Sequence, residues 1–226
     1  MYFERMCGAD SESSPQTERM KSESEALKGD LKLRSVNMGA PGGHSERVAI
    51  YAIAIGKHLG FPDDTLSALK SAAILHDIGK VGISREIVEK LGRLTDREFQ
   101  IMRLHSTIAI RMLERVEGLK ESLPMIRHHH ERFDGKGYPD GLKEHEIPLG
   151  ARVIAVAETF DMLVSDLPWR DAMPLDETLE EIRRCSGTQF DPMVVDGFLA
   201  VIEARKVELP EEIEKQLPKP KLPKGN

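Results

Sequence analysis

His128-His129-His130-Glu131-Arg132-Phe133-Asp134-Gly135-Lys136-Gly137-Tyr138-Pro139-Asp140-Gly141-Leu142 is the stretch on which the reading of this chain turns. Histidine is the commonest side-chain metal ligand, because its neutral ring offers a lone pair near neutral pH. Here three histidines stand in a row and an acid follows. Then comes a loop built from Gly135, Gly137, Pro139 and Gly141. Glycine and proline make tight loops that let backbone approach a bound group closely. The stretch therefore reads as the lip of a metal site, whose other ligands must come from elsewhere.

Working outward, every neighbouring segment has helical periodicity. A helix from roughly Lys120 to Glu131 leads into the stretch. Before it, Thr95-Asp96-Arg97-Glu98 has the form of a capping box. It starts a long helix with Ile101, Leu104, Ile108 and Leu113 on one face. Ser84 caps a short helix to Leu91. Asp63 or Asp64 caps a helix through Leu66, Leu69, Ala73 and Ile74 that ends at His76-Asp77, with Gly79 and Gly82 as terminators. His44 opens a helix carrying Val48, Tyr51, Ala52, Ile55 and Leu59, closed by Gly60. Downstream, Gly150 to Ser165 is an apolar run that reads as a buried helix. Pro174 sits in the first turn of a helix to Arg184, and Asp191-Pro192 caps another to about Arg205. No strand pattern or internal repeat is evident. The expected fold is all-α, a helical bundle in a single domain. Residues 1–38 read as a disordered or loosely helical tail, 39–206 as the functional domain and 207–226 as a Pro/Lys/Glu-rich tail.

Composition narrows the class. The chain has 226 residues, enough for one domain with a proper core. Its net charge of −6 argues against a nucleic acid polymer as partner, since phosphate binding wants a basic face. Cys7 and Cys185 are far apart and form no disulfide framework, which fits a reducing cytoplasm. The longest apolar run, Val48 to Ile55, is too short to span a bilayer, and Met1 to Asp30 lacks a signal-peptide core. A soluble cytoplasmic protein with no membrane partner is expected.

Candidate ligands fall at helix ends. His44 begins one helix, His76 and Asp77 end the next, and His129 and His130 precede the glycine loop. His105 lies within the long helix. Glu158 sits inside the apolar run, where an unpaired carboxylate is costly. Imidazoles and carboxylates together suit divalent metals, and one carboxylate among several imidazoles can bridge two ions. His128 reads as a bystander, His58 and His145 as solvated, and Asp134 as a loop anchor through backbone hydrogen bonds. A lone His-Asp pair is more often a helix end than a ligand pair; its company changes that weighting.

His76-Asp77-Ile78-Gly79-Lys80, taken with the string from His129 to Pro139, resembles the HD-GYP family, bacterial members of the HD-domain metal-dependent phosphohydrolases. The resemblance covers about His44 to Leu199 and includes Leu94-Thr95, Ile147-Pro148 and Gly187-Thr188-Gln189-Phe190-Asp191-Pro192. It implies hydrolysis of cyclic di-GMP to the linear dinucleotide pGpG, with GMP after a second cut, by a metal-activated hydroxide. The implied metal ligands are His44, His76, Asp77, His105, His129, His130 and Glu158, where the family has Asp. The implied cofactors are two divalent ions, iron or manganese, bridged by Asp77. Asp77 and Lys80 are the implied catalytic residues. Lys80 and Arg170 are the implied phosphate contacts, while Leu167 stands where the family carries a cation. Asp161 matches a further acidic position of the family, suited to supporting a ligand. A third ion, held in some relatives by a Glu four residues before the first histidine, is not expected, because that residue here is Ala40.

Two other readings stay open. The departures at Glu158 and Leu167 suit a module that binds cyclic dinucleotides or proteins without efficient turnover, with Trp169 stacking on a guanine. The same chemistry on another nucleotide phosphoester is the third. The Gly-Tyr-Pro loop would serve a signalling-protein partner, and a homodimer is a further expectation.

Overall fold

The first helix buries the residues that its spacing singles out. α1 (His44–His58) turns Val48, Ala49, Tyr51, Ala52 and Ile55 inward, all but removed from solvent. Gly60, at φ +77°, ends the connection as expected, because a left-handed backbone there favours glycine. α2 (Asp63–Leu75) follows, with Pro62 at its N-cap and Asp63 and Asp64 in the first turn, where carboxylates favour the helix dipole. The computed structural model describes residues 43–167 and 170–204, and the regular elements among them are all helical. Both expected tails lie outside the described residues, as do Ala40, Pro168 and Trp169.

Beyond α2 the chain runs through a 3-10 segment (Ile78–Gly82), α3 (Arg85–Val88), α4 (Asp96–Met102), α5 (His105–Leu113) and α6 (Leu123–Arg127). After the glycine loop and a short 3-10 turn at Glu144–Glu146 come α7 (Leu149–Leu163), α8 (Leu175–Arg184) and α9 (Pro192–Glu203). α7 is the axis. Its Val153, Ile154, Val156, Ala157 and Phe160 are fully buried, as its apolar run predicts. Tyr51 of α1 meets Phe160 edge-on at 5.1 Å between ring centroids, and Phe160 lies 5.0 Å from Phe198 of α9. Each such aromatic, fully buried, contributes about 2 kcal/mol of transfer free energy. Asp191 caps α9 by accepting from the Met193 N–H at 2.8 Å, and Arg152 of α7 pairs with the same carboxylate.

Two expectations need correction. The long helix from Thr95 to Leu113 is two helices, α4 and α5, separated at Arg103-Leu104, and Leu104 is 51% exposed rather than on a buried face. Its start is as expected: the Thr95 N–H donates to Glu98 Oε2 at 2.7 Å and the Glu98 N–H to Thr95 Oγ1 at 3.3 Å. The break coincides with the tightest contact at any glycine among the described residues. A Cβ on Gly79 would lie 1.8 Å from the His105 carbonyl oxygen and 2.7 Å from the Ala109 nitrogen. The 3-10 segment thus rests directly on the start of α5. The helix expected to Glu131 stops at Arg127, and His128 to His130 form a turn.

Candidate metal centre

The elements deliver their histidines at their ends, and local backbone fixes three of them in one way. His76 closes α2, and its Nδ1 lies 2.7 Å from the Ala73 carbonyl oxygen. His105 opens α5, with Nδ1 2.7 Å from the Met102 carbonyl oxygen. His129 follows α6, with Nδ1 2.6 Å from the Ile126 carbonyl oxygen. A carbonyl only accepts, so each Nδ1 carries the proton and each Nε2 is left with a bare lone pair. His44, the first residue of α1, is held differently: its Nδ1 is 2.7 Å from Asp161 Oδ2 on α7. The His130 ring makes no hydrogen bond among the described residues. It is wedged between the rings of His129 (4.0 Å) and Tyr138 (4.9 Å, tilted by 31°).

Asp77 stands where these rings converge. Its Oδ2 is 3.5 Å from His76 Nε2, and its Oδ1 is 3.7 Å from His105 Nε2. Two overlapping groups result: His44, His76 and Asp77, and Asp77, His105, His129 and His130, the ligand atoms of each lying within 4.8 Å of one another. The donor chemistry of both groups fits divalent cations. His105 Nε2 and His129 Nε2 face each other at 3.4 Å with their protons assigned to the far nitrogens, so two lone pairs are opposed. His76 Nε2 and Asp77 Oδ1 are buried without a hydrogen-bond partner. A cation in each of the two groups would satisfy these four atoms, where a proton would serve one pair.

Electrostatics agree with that reading. Burial pushes the His76 ring down to about 4, and pushes His105, His129 and His130 below the ordinary imidazole value as well. The rings are therefore neutral ligands at neutral pH. Burial opposes ionisation of Asp77, but the Lys80 ammonium and then the imidazoles outweigh it and hold the carboxyl well below its usual range. Lys80 Nζ donates to Asp77 Oδ2 at 2.6 Å. Glu158 lies outside both groups. It lines the adjoining cavity, and burial, followed by the charge of Asp77, lifts its carboxyl to about 7.

That cavity, about 330 Å³, is bordered by His130, Tyr138, Glu158, Thr159, Met162 and Gln189. A second lobe of about 260 Å³ reaches Lys80, His105 and Met102, and shares His130, Tyr138, Glu158 and Met162 with the first. The glycine loop forms the rim and is folded on its own backbone. Glu131 Oε1 accepts from the Asp140 and Gly141 N–H groups at 2.7 and 3.0 Å, and the Tyr138 N–H donates to the His130 carbonyl at 3.2 Å. A Cβ on Gly137 would lie 2.4 Å from the Arg132 nitrogen, so only glycine passes there. Asp134 accepts from the Lys136 N–H and from Arg132, which anchors the loop. His128 belongs to neither group; its ring nitrogens lie 2.9 Å from the Pro124 carbonyl and 2.9 Å from Asp140 Oδ2.

One expected substrate contact is not brought to the site. The Arg170 guanidinium caps the end of α7, donating to the carbonyls of Met162 (2.6 Å), Leu163 (3.2 Å) and Asp171 (2.8 Å). It is absent from the residues lining the cavity. Two contributors escaped the sequence reading. Arg47 clamps Asp161, and Glu131 organises the loop. The signal for Glu131 was an acid followed by glycines, a common anchor for backbone N–H groups.

A helical bundle that gathers imidazoles round a shared aspartate is the architecture of the HD-type metal-dependent phosphohydrolases. The family model described as HD domain matches residues 32–194, and the chain belongs to that family, in its HD-GYP branch. Over 158 residues it is 43% identical to a cyclic di-GMP phosphodiesterase of Thermotoga maritima, covering 69% of this chain and 43% of that protein. A 3'3'-cGAMP-specific phosphodiesterase of Vibrio cholerae is 39% identical over 170 residues, covering 75% of this chain and 36% of that protein. The chain thus spans less than half the length of these curated relatives. Among solved structures, an HDG"Y"P protein from Bdellovibrio bacteriovorus superposes with a TM-score of 0.61 at 17% identity, covering 82% of this chain and 64% of that one.

Proposed function

We propose that the protein is a metal-dependent phosphodiesterase that opens cyclic di-GMP to the linear dinucleotide pGpG. The observation that carries this is the opposed pair His105 Nε2 and His129 Nε2, 3.4 Å apart beside the unpartnered Asp77 Oδ1. His44, His76 and Asp77 would hold one divalent ion, and Asp77, His105, His129 and His130 a second, with Asp77 shared. Glu158, one methylene longer than the family's aspartate, would reach in from the cavity wall. Iron or manganese is the proposed metal, since imidazole and carboxylate together suit both. When bound, such ions supply Lewis acidity and lower the pKa of a coordinated water.

The chain's own residues do the rest. His130 and Tyr138 wall the cleft between its two lobes, so that a dinucleotide places its phosphodiester beside the imidazoles. Lys80, already donating to Asp77, has further N–H bonds to offer a non-bridging phosphate oxygen. Among the described residues no helix is long and apolar enough to cross a membrane, and the cytoplasm is the proposed compartment. The rim loop is the proposed surface for a signalling partner. A second reading, nucleotide binding with slow turnover, draws on Arg170, whose Nη groups donate to backbone carbonyls of Met162, Leu163 and Asp171.

The test is the full chain loaded anaerobically with iron or manganese and incubated with cyclic di-GMP. Linear dinucleotide is expected, and none from His76→Ala. Metal bound at both positions without turnover of any cyclic dinucleotide would overturn this reading and leave nucleotide binding or action on another nucleotide phosphoester.

A further inference from the structure

Three of the site's imidazoles are anchored by backbone three residues earlier, and one is anchored by side chains from across the fold. His44 opens α1 and takes Asp161 Oδ2 at 2.7 Å for its Nδ1. Asp161 is fully buried on α7. Arg47, one turn along α1, then grips the same carboxylate with both edges of its fork: Nε to Oδ1 at 2.6 Å and Nη2 to Oδ2 at 2.9 Å. Nη2 also reaches Ser165 Oγ at 3.4 Å. A carboxylate held in this way has no freedom to rotate, and a buried one without its cation is costly. The ring it faces is fixed in tautomer and in direction, and a carboxylate partner makes an imidazole a stronger donor.

We propose that Arg47 is a positioning residue for the His44–His76–Asp77 group alone: through Asp161 it presents His44 Nε2, and the ion held there depends on it. The ion of the Asp77–His105–His129–His130 group does not, because His105 and His129 are set by backbone carbonyls and His130 by ring packing. The two positions are thus supported by independent devices. This inference rests on the metal-dependent reading above.

The experiment is a titration of metal-free full-length protein with Mn(II), followed by calorimetry and by electron paramagnetic resonance. The wild type is expected to take two ions and to give the signal of a coupled pair. In Arg47→Met, one ion should bind as in the wild type while the other weakens by roughly 10- to 100-fold, the usual cost of losing an outer support. The spectrum should then be that of an isolated ion. Arg47→Lys, which keeps the charge but not the fork, should fall between. Asp161→Asn, which keeps the shape but not the charge, should reproduce the loss of one ion should Arg47→Met fail to fold. Equal weakening of both ions, or of neither, overturns the proposal. A wild type that binds no Mn(II) fails one step earlier, at the metal-dependent reading, and takes the proposal with it.

Discussion

Lys80 and Asp77 are joined by a 2.6 Å hydrogen bond across one turn of 3-10 helix, so the shared carboxylate of the centre carries a cation from its own segment. The pair ties together two jobs that the sequence assigned separately, ligand and phosphate contact. Lys80→Met is expected to lower turnover of cyclic di-GMP by roughly 100-fold, the usual scale for removing one donor aimed at developing charge. Metal stoichiometry should stay at the wild-type value. Steady-state kinetics beside metal analysis checks both, and loss of an ion would instead make Lys80 a structural support of Asp77.

Tyr138 supports His130 alongside the rings of His129 and His105, through a tilted ring contact at 4.9 Å, while the Arg103 guanidinium lies 4.8 Å from the Tyr138 centroid. Tyr138→Phe keeps the ring and should leave metal affinity unchanged. Tyr138→Ala removes it and should weaken one ion by about 1 kcal/mol, the order of an aromatic contact. Equal effects of the two substitutions would assign the work to the hydroxyl instead.

The histidines also set a pH dependence for the metal-free protein. His76 titrates near 6.5 when unfolded, and burial lowers it to about 4 in the fold. Between those values the unfolded chain binds a proton that the folded chain refuses. Stability from this group is therefore complete above the unfolded value and is lost as pH falls toward the folded one, by up to ~3 kcal/mol. Urea midpoints of apoprotein near pH 7.5 and near pH 5 should differ in that direction, and His76→Gln should reduce the difference, with His105, His129 and His130 supplying the remainder.

Gly79 is expected to tolerate no side chain. A Cβ there would overlap the His105 carbonyl oxygen at 1.8 Å, so Gly79→Ala must push the 3-10 segment away from α5. A cost of about 3 kcal/mol or more is expected from such overpacking. A melting temperature within error of wild type would refute the close approach.

Much of the centre was legible because its ligands sit beside short-range signals. The His76-Asp77 end of α2, the capping box at Thr95 and the glycine loop are all local patterns, and the structure places them accordingly. What escaped was set by contacts distant in sequence. Nothing within Gln100 to Ser106 breaks a helix; the chain breaks at Arg103-Leu104 where Gly79 meets α5. Arg170 was a phosphate contact by resemblance alone, and its capping role could not be read because it depends on where α7 ends. The role of Arg47 escaped because its partner Asp161 lies 114 residues away.

The route of the chain through the two ligand groups has a thermodynamic consequence. The first group starts at residue 44, the second ends at residue 130, and the carboxylate steadying His44 comes from residue 161. No fragment shorter than residues 44–161 contains this set. An ion that binds such an assembly recognises the finished chain and ignores the unfolded one, so it acts as a clasp closed by folding itself. At a free concentration a thousand times its dissociation constant it would add about 4 kcal/mol to the stability of the native state. Cellular metal supply would then govern how long the protein survives as well as how fast it works.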